Sequence, residues 1–169
     1  MEEKEAEIRE KIKKAAQMLF FQRHRLPGAK GWELKQALGK RYMEIIDLLN
    51  AELDKLGMEI KIVFDKDFNK ARFFVVLKAP PMGKLSKDRI DDLAVLASCL
   101  ALIHSRDGRA VRREVEDILR EKFPGWKVQG NIDRYIRMGY LSQKGEVLKI
   151  GWRAKAEVSM EKLIAALMK

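Results

Sequence analysis

The chain has 169 residues, 35 Lys or Arg against 25 Asp or Glu, a formal charge of +10 and one cysteine. That length permits one domain or two small ones with a real core, and the lone Cys99 excludes an intrachain disulfide and fits a reducing cytoplasm. The longest apolar run, Leu93 to Ile103, falls far short of the roughly 20 residues that span a bilayer, so no membrane partner is expected.

From the N-terminus, Ile8, Ile12, Ala15, Ala16 and Leu19 recur at helical spacing and predict a helix over 4–24, broken at Leu26-Pro27-Gly28. A short helix follows from Trp32 to Leu38 and ends at Gly39. The next, over 41–56, has Tyr42, Ile45, Ile46, Leu49, Leu53 and Leu56 on one face and closes at Gly57. Residues 58–64 then alternate at period two, and 72–77 is a second β-rich run, with 65–70 as the hairpin loop. Ala79-Pro80-Pro81-Met82-Gly83 suits neither helix nor strand and reads as a linker over 80–85 between domains 1–79 and 86–169.

The second half repeats the plan. Ser86 can cap a helix that runs to His104, its continuous apolar stretch suggesting burial on both sides. A second helix spans 109–122 with Val111, Val115, Ile118 and Leu119 inward, and a third spans 127–138 with Val128, Ile132, Tyr135 and Ile136 inward. Strand, Lys144-Gly145 turn and strand follow, and a last helix opens near Ser159 with Met160, Leu163, Ile164 and Leu167 as its stripe. Three helices and a hairpin are the order of a winged helix, so the expected fold is α+β and mainly α: tandem winged-helix domains plus a C-terminal helix.

The outer faces suggest partners. Residues 1–82 hold 17 basic and 13 acidic side chains and residues 83–169 hold 18 and 12, an excess that favours an anionic partner. In the second half Arg109, Arg112, Arg113, Lys127, Arg134 and Arg137 project opposite the expected core stripes, and Lys144 sits on the wing. Arginine suits bidentate phosphate contact, so these seven are the expected sites for double-stranded DNA. The bland alternative is that Arg113 and Arg120 pair with Glu116, Asp117 or Glu121 along their helix. In the first half the outer face of the third helix carries Glu44, Asp47 and Leu48; carboxylates there would repel phosphate, so these are expected to contact a protein partner or a second copy.

Catalysis is not expected. His24 and His104 lie far apart without Cys or carboxylate at ligand spacing, so neither metal nor cofactor is expected. Cys99 lies in an apolar helix and suits burial rather than reactivity. The stretch Met82-Gly83-Lys84-Leu85-Ser86 lacks the first glycine and the Ser or Thr after lysine that a phosphate-binding loop requires.

The end of the chain is more specific. Tyr140-Leu141, then Gly151-Trp152-Arg153-Ala154, Ala156-Glu157, Ser159 and Lys162, resembles the close of the MAGE homology domain, although the proline of its Trp-Gly-Pro-Arg-Ala core is missing and the tryptophan stands beyond the glycine. Ala51 to Gly57 and Ala71 to Leu77 also look similar to that family. MAGE domains belong with the kite proteins, tandem winged-helix partners of SMC–kleisin complexes. The resemblance therefore implies a chromosome-associated subunit, in the cytoplasm at the nucleoid, that forms a homo- or heterodimer, grips a kleisin or SMC-type subunit and contacts DNA. A winged-helix transcriptional regulator with a specific operator and a protein-interaction module without DNA binding are the alternatives.

Overall fold

The computed structural model describes residues 2–21, 27–65, 70–78 and 89–168. The chain divides into two compact units, 1–80 and 81–169. The expected linker at 80–85 and the expected cap Ser86 lie outside the described residues, as do 22–24 at the end of the first expected helix and 66–69 of the first hairpin loop.

In unit 1, α1 (Glu2–Phe21) is followed by β1 (Ala29–Lys30), α2 (Gly31–Leu38), α3 (Tyr42–Asp54), β2 (Met58–Asp65) and β3 (Lys70–Leu77). In unit 2, α4 (Ile90–Ser105) is followed by β4 (Arg109–Val111), α5 (Arg112–Arg120), α6 (Gly125–Arg137), β5 (Leu141–Lys144) and β6 (Val147–Ile150), then α7 (Trp152–Glu157) and α8 (Met160–Leu167). Each unit therefore has a long helix, a very short strand, two more helices and a hairpin. Both antiparallel sheets have the same topology, β1-β3-β2 and β4-β6-β5, with the short strand against the second strand of the hairpin. This is the tandem winged-helix α+β fold, mainly helical.

The first core gathers Ala15 and Leu19 of α1, Leu34 and Leu38 of α2, Ile45, Ile46, Leu49 and Leu53 of α3, and Phe73 of β3. The second gathers Val95, Cys99, Leu100 and Ile103 of α4, Val115 and Leu119 of α5, Val128, Ile132 and Tyr135 of α6, with Leu141 and Leu148 from the hairpin. Each fully buried Leu or Ile contributes about 1.5–3 kcal/mol, so the i, i+3, i+4 stripes fix the packing of each unit.

Turns are set by local chemistry. Gly28 has φ +75° and lies so close to β3 that a Cβ would sit 2.1 Å from the Phe73 carbonyl oxygen, so only glycine lets β1 approach. Gly139 ends α6 at φ +84°, where a Cβ would meet the Trp152 indole at 2.5 Å. The Ile60 amide donates to Asn50 Oδ1 of α3 at 2.7 Å, so a side chain takes up a donor of edge strand β2. Ser159 Oγ accepts from the Lys162 amide and caps α8, near where the sequence opens its last helix.

Several expected elements need correction. Residues 109–111 are strand, not the start of a helix; a three-residue strand leaves too short an alternation to read, and its hydrogen bonds come from the distant β6. Val111 and Ile118, expected inward, are exposed, while the carboxylate-bearing Glu116 is buried. Leu56 is exposed because α3 already ends at Asp54 and the turn at 55–57 swings it off the core face. The six-residue helix α7 was not anticipated.

Candidate nucleic-acid interface and partner surfaces

The structure separates the seven expected DNA-contact residues into two sets. Arg109, Arg113, Arg137 and Lys144 are exposed. Arg112, Lys127 and Arg134 are not on the outer face, and helix geometry explains why. Successive residues advance roughly 100° around a helix, so on α6 the positions opposite Val128 and Ile132 are Trp126, Gly130, Asp133 and Arg137, while Lys127 and Arg134 fall on the flank. That flank faces the start of α4. Lys127, whose side chain is 16% exposed, reaches Asp91 at 2.7 Å, Arg134 lies 3.7 Å from Asp92, and the buried Asn131 donates to Asp92 at 3.0 Å. The hydrogen bond from Lys127 holds the Asp91 carboxyl below its usual pKa. These contacts join two helices of one core.

Arg112 sits on the buried side of α5, three and four residues before Val115 and Glu116. Its side chain is 24% exposed and bonds Glu116 at 2.7 Å, Asp133 at 2.8 Å and Gln143 at 3.0 Å. Burial opposes its charge, but the hydrogen bonds to Glu116 and Asp133 outweigh this and raise its pKa. Glu116 also accepts from Arg120 at 3.1 Å and from Gln129 at 3.2 Å. A buried carboxylate bonded by two guanidiniums and an amide thus ties α5 to α6, and Arg112 extends the tie to the wing. Pairing along the helix therefore accounts for Arg120, whereas Arg113 has no ion pair among the described residues.

The wing gathers cations from separate parts of the sequence on one face. Strand residues alternate between faces. The register places Arg109, Lys149 and Ser142 in one row across β4, β6 and β5, and Val111, Val147 and Lys144 in the next. Opposite them, Ala110 and Leu148 enter the core. One face of this sheet therefore carries three cations and no carboxylate. Two of them, Arg109 and Lys149, stand directly across from each other. The sequence places Lys149 on the hairpin with Lys144, and strand pairing puts it in one row with Arg109, forty residues earlier.

The expected partner residues lie on α3 with Glu44, Asp47 and Leu48 all exposed. A groove of about 300 Å³ between α1 and α3 brings Leu48 and Glu44 together with Ile8, Leu38 and Ile45, while Asp47 does not line it. Its rim is ion-paired: Lys11 bonds Glu7 at 2.6 Å and Arg41 Nε bonds Glu44 at 2.6 Å, which holds the Glu44 carboxyl below its usual pKa. Unit 2 has a larger groove, about 610 Å³, whose apolar lining includes Ala101 and Leu102 of α4, Ile118 of α5 and Ile164 and Leu167 of α8. The exposed side of Ile118 announces it, but sequence periodicity assigned that residue to the core.

The motif that resembles the MAGE close has a structural job. Tyr140 Oη donates to Glu157 at 2.7 Å, Arg153 Nε donates to the same carboxylate at 2.7 Å, and the Arg153 guanidinium lies 4.6 Å from the centre of the Tyr140 ring. Ala154 and Ala156 are buried. The cluster fastens α7 to the start of the hairpin. Burial pushes the Cys99 thiol up to about 12, with the charge of Glu116 adding to the effect. Among the described residues no cluster of His, Cys, Asp and Glu could hold a metal, and no helix is long and apolar enough to cross a membrane.

No protein-family model and no curated protein matches this sequence. Among solved structures, a chain of the Nse1-Nse3-Nse4 complex is similar at TM-score 0.62 and 11% identity, over 87% of this chain and 68% of that one. At that identity the likeness shows the fold alone.

Proposed function

We propose that this protein is a non-catalytic accessory subunit of an SMC–kleisin complex that binds double-stranded DNA without strong sequence preference, on the chromosome. The observation that carries the DNA part is the basic face of the unit 2 sheet, with Arg109, Lys144 and Lys149, together with exposed Arg113 on α5 and exposed Arg137 at the end of α6. Phosphate contacts from such side chains position a protein on a duplex without reading bases. The likeness to a chain of a complex whose name includes Nse4 supports a kleisin-type partner. The two apolar grooves are where a partner helix or a second copy would lie, with Leu48 and Glu44 in the first.

The test is affinity for a mixed-sequence duplex across an ionic-strength series. With about four phosphates engaged, log affinity falls against log salt with a slope of about −4. A second duplex of unrelated sequence binds within about threefold, as a subunit without sequence readout requires. A flat salt response ends the DNA reading. A preference of a thousandfold for one sequence makes the protein an operator-binding regulator instead.

A further inference from the structure

One feature of α6 serves neither the core nor the wing. Trp126 is 78% exposed at the first turn of the helix. One turn on, in line with it, stands Gly130, and nothing lies within 4 Å of where its Cβ would be. The backbone there is ordinary helix, without the positive φ that calls for glycine elsewhere. A glycine in the middle of an exposed helix weakens it relative to alanine, and nothing inside the fold asks for the missing side chain. The omission makes sense if something outside the molecule comes close to the helix backbone. Two further turns along, the same line reaches exposed Arg137. The acid on this line, Asp133, is held by Arg112 at 2.8 Å, and that same guanidinium bonds Gln143 of the wing. Arg112 therefore neutralises the carboxylate of the stripe and links α6 to strand β5 of the hairpin.

We propose that the Trp126–Gly130–Arg137 stripe binds single-stranded nucleic acid, with the indole stacked on an unpaired base, the strand backbone passing over Gly130 and a phosphate at Arg137. This rests on the DNA reading above and extends it to unpaired bases. In an intact duplex the bases stack on each other and expose only their edges in the grooves, so a flat indole finds no face to cover. An unpaired base offers that face, and stacking tolerates any sequence. A protein partner would be expected to surround such a tryptophan with apolar neighbours, whereas its exposed neighbours on this face are Gln129, Gly130 and Arg137.

The test uses the full chain, oligo-dT and a mixed-sequence duplex of equal length at one salt concentration. Trp126→Ala should weaken oligo-dT binding about tenfold or more and duplex binding less than about twofold, and Trp126→Phe should recover most of the loss. Wild-type tryptophan fluorescence should be quenched by oligo-dT, and the quench should vanish in Trp126→Ala. Gly130→Leu gives an independent check, since leucine is the better helix former: its melting temperature should rise while oligo-dT affinity falls. Unchanged oligo-dT affinity in both variants overturns the proposal and turns the stripe into a protein contact. Equal losses on oligo-dT and duplex overturn it as well, because they make Trp126 a general backbone contact. If wild type binds oligo-dT but not duplex, the stripe stands and the duplex reading falls.

Discussion

The third helices of the two units, α3 and α6, hold the same place in the same topology and present opposite chemistry. The outer face of α3 is an ion-paired mosaic: Arg41 with Glu44, Lys55 with Glu52, and Leu48 between them. On α6 the outer line is Trp126, Gly130 and Arg137, and its one carboxylate is bound by an arginine from another helix. The two halves of the sequence carry nearly the same excess of charge. What distinguishes the units is therefore how cations are spent on internal pairs, not how many each holds. A winged helix needs only its apolar stripes to fold, which leaves the outer faces open to different uses.

The largest effects should come from breaking one unit and leaving the other as a control. Ile132 is fully buried in unit 2 and Leu49 nearly so in unit 1. Truncating either to alanine should cost about 2–5 kcal/mol. Cys99 makes the comparison direct, since burial holds its thiol up at about 12. Maleimide labelling at pH 8 should be slow in wild type and in Leu49→Ala, and fast in Ile132→Ala. Equal acceleration in both variants would mean that the units open together.

Smaller effects separate glycines that the fold needs from one that it does not. Gly139→Ala combines a positive φ with a collision against Trp152 and should cost about 1–3 kcal/mol. Gly130→Ala meets open space and should stabilise by up to about 1 kcal/mol. Urea midpoints for the pair check the contrast in sign.

The smallest effects distinguish the two kinds of cation on α6. Lys127→Ala should lower stability by up to about 1 kcal/mol, a modest figure because Asp91 is solvent-exposed, and should leave duplex affinity within about twofold. Arg137→Ala should do the reverse, keeping stability within about 0.5 kcal/mol and reducing the salt slope by about one. Thermal melts and anisotropy on the same preparations decide it.

Much of the fold was legible because each helix advertises a stripe: Ile45, Ile46, Leu49 and Leu53 in α3, and Val128, Ile132 and Tyr135 in α6. The hairpins showed through period-two alternation and the Lys144-Gly145 turn, and the last helix opens near Ser159 as expected. Strands β1 and β4 were hidden because two or three residues carry no period, and α7 because its six residues sit between a glycine and a cap. The candidate site was half legible. Arg109, Arg113, Arg137 and Lys144 are exposed as expected, but Lys127 and Arg134 are taken up by carboxylates of α4, and Arg112 by Glu116 of its own helix and Asp133 of α6. A single-helix projection cannot see the partners on other helices. The pairing of Lys149 with Arg109 and the exposure of Trp126 emerged only once strand register and helix packing were fixed.

The central claim is that anion binding belongs to unit 2, and two charge reversals of equal size test it. In one variant Arg113, Arg137 and Lys144 become glutamate; in the other Lys40, Lys55 and Lys61 do. All six side chains are exposed, so both proteins should fold, and their net charges are the same. Duplex affinity at low salt should fall on the order of a hundredfold in the unit 2 variant, with the salt slope shallower by about three, and by no more than about threefold in the unit 1 variant. Equal losses in the two variants would mean that net charge alone governs binding. No loss in the unit 2 variant would contradict the assignment outright.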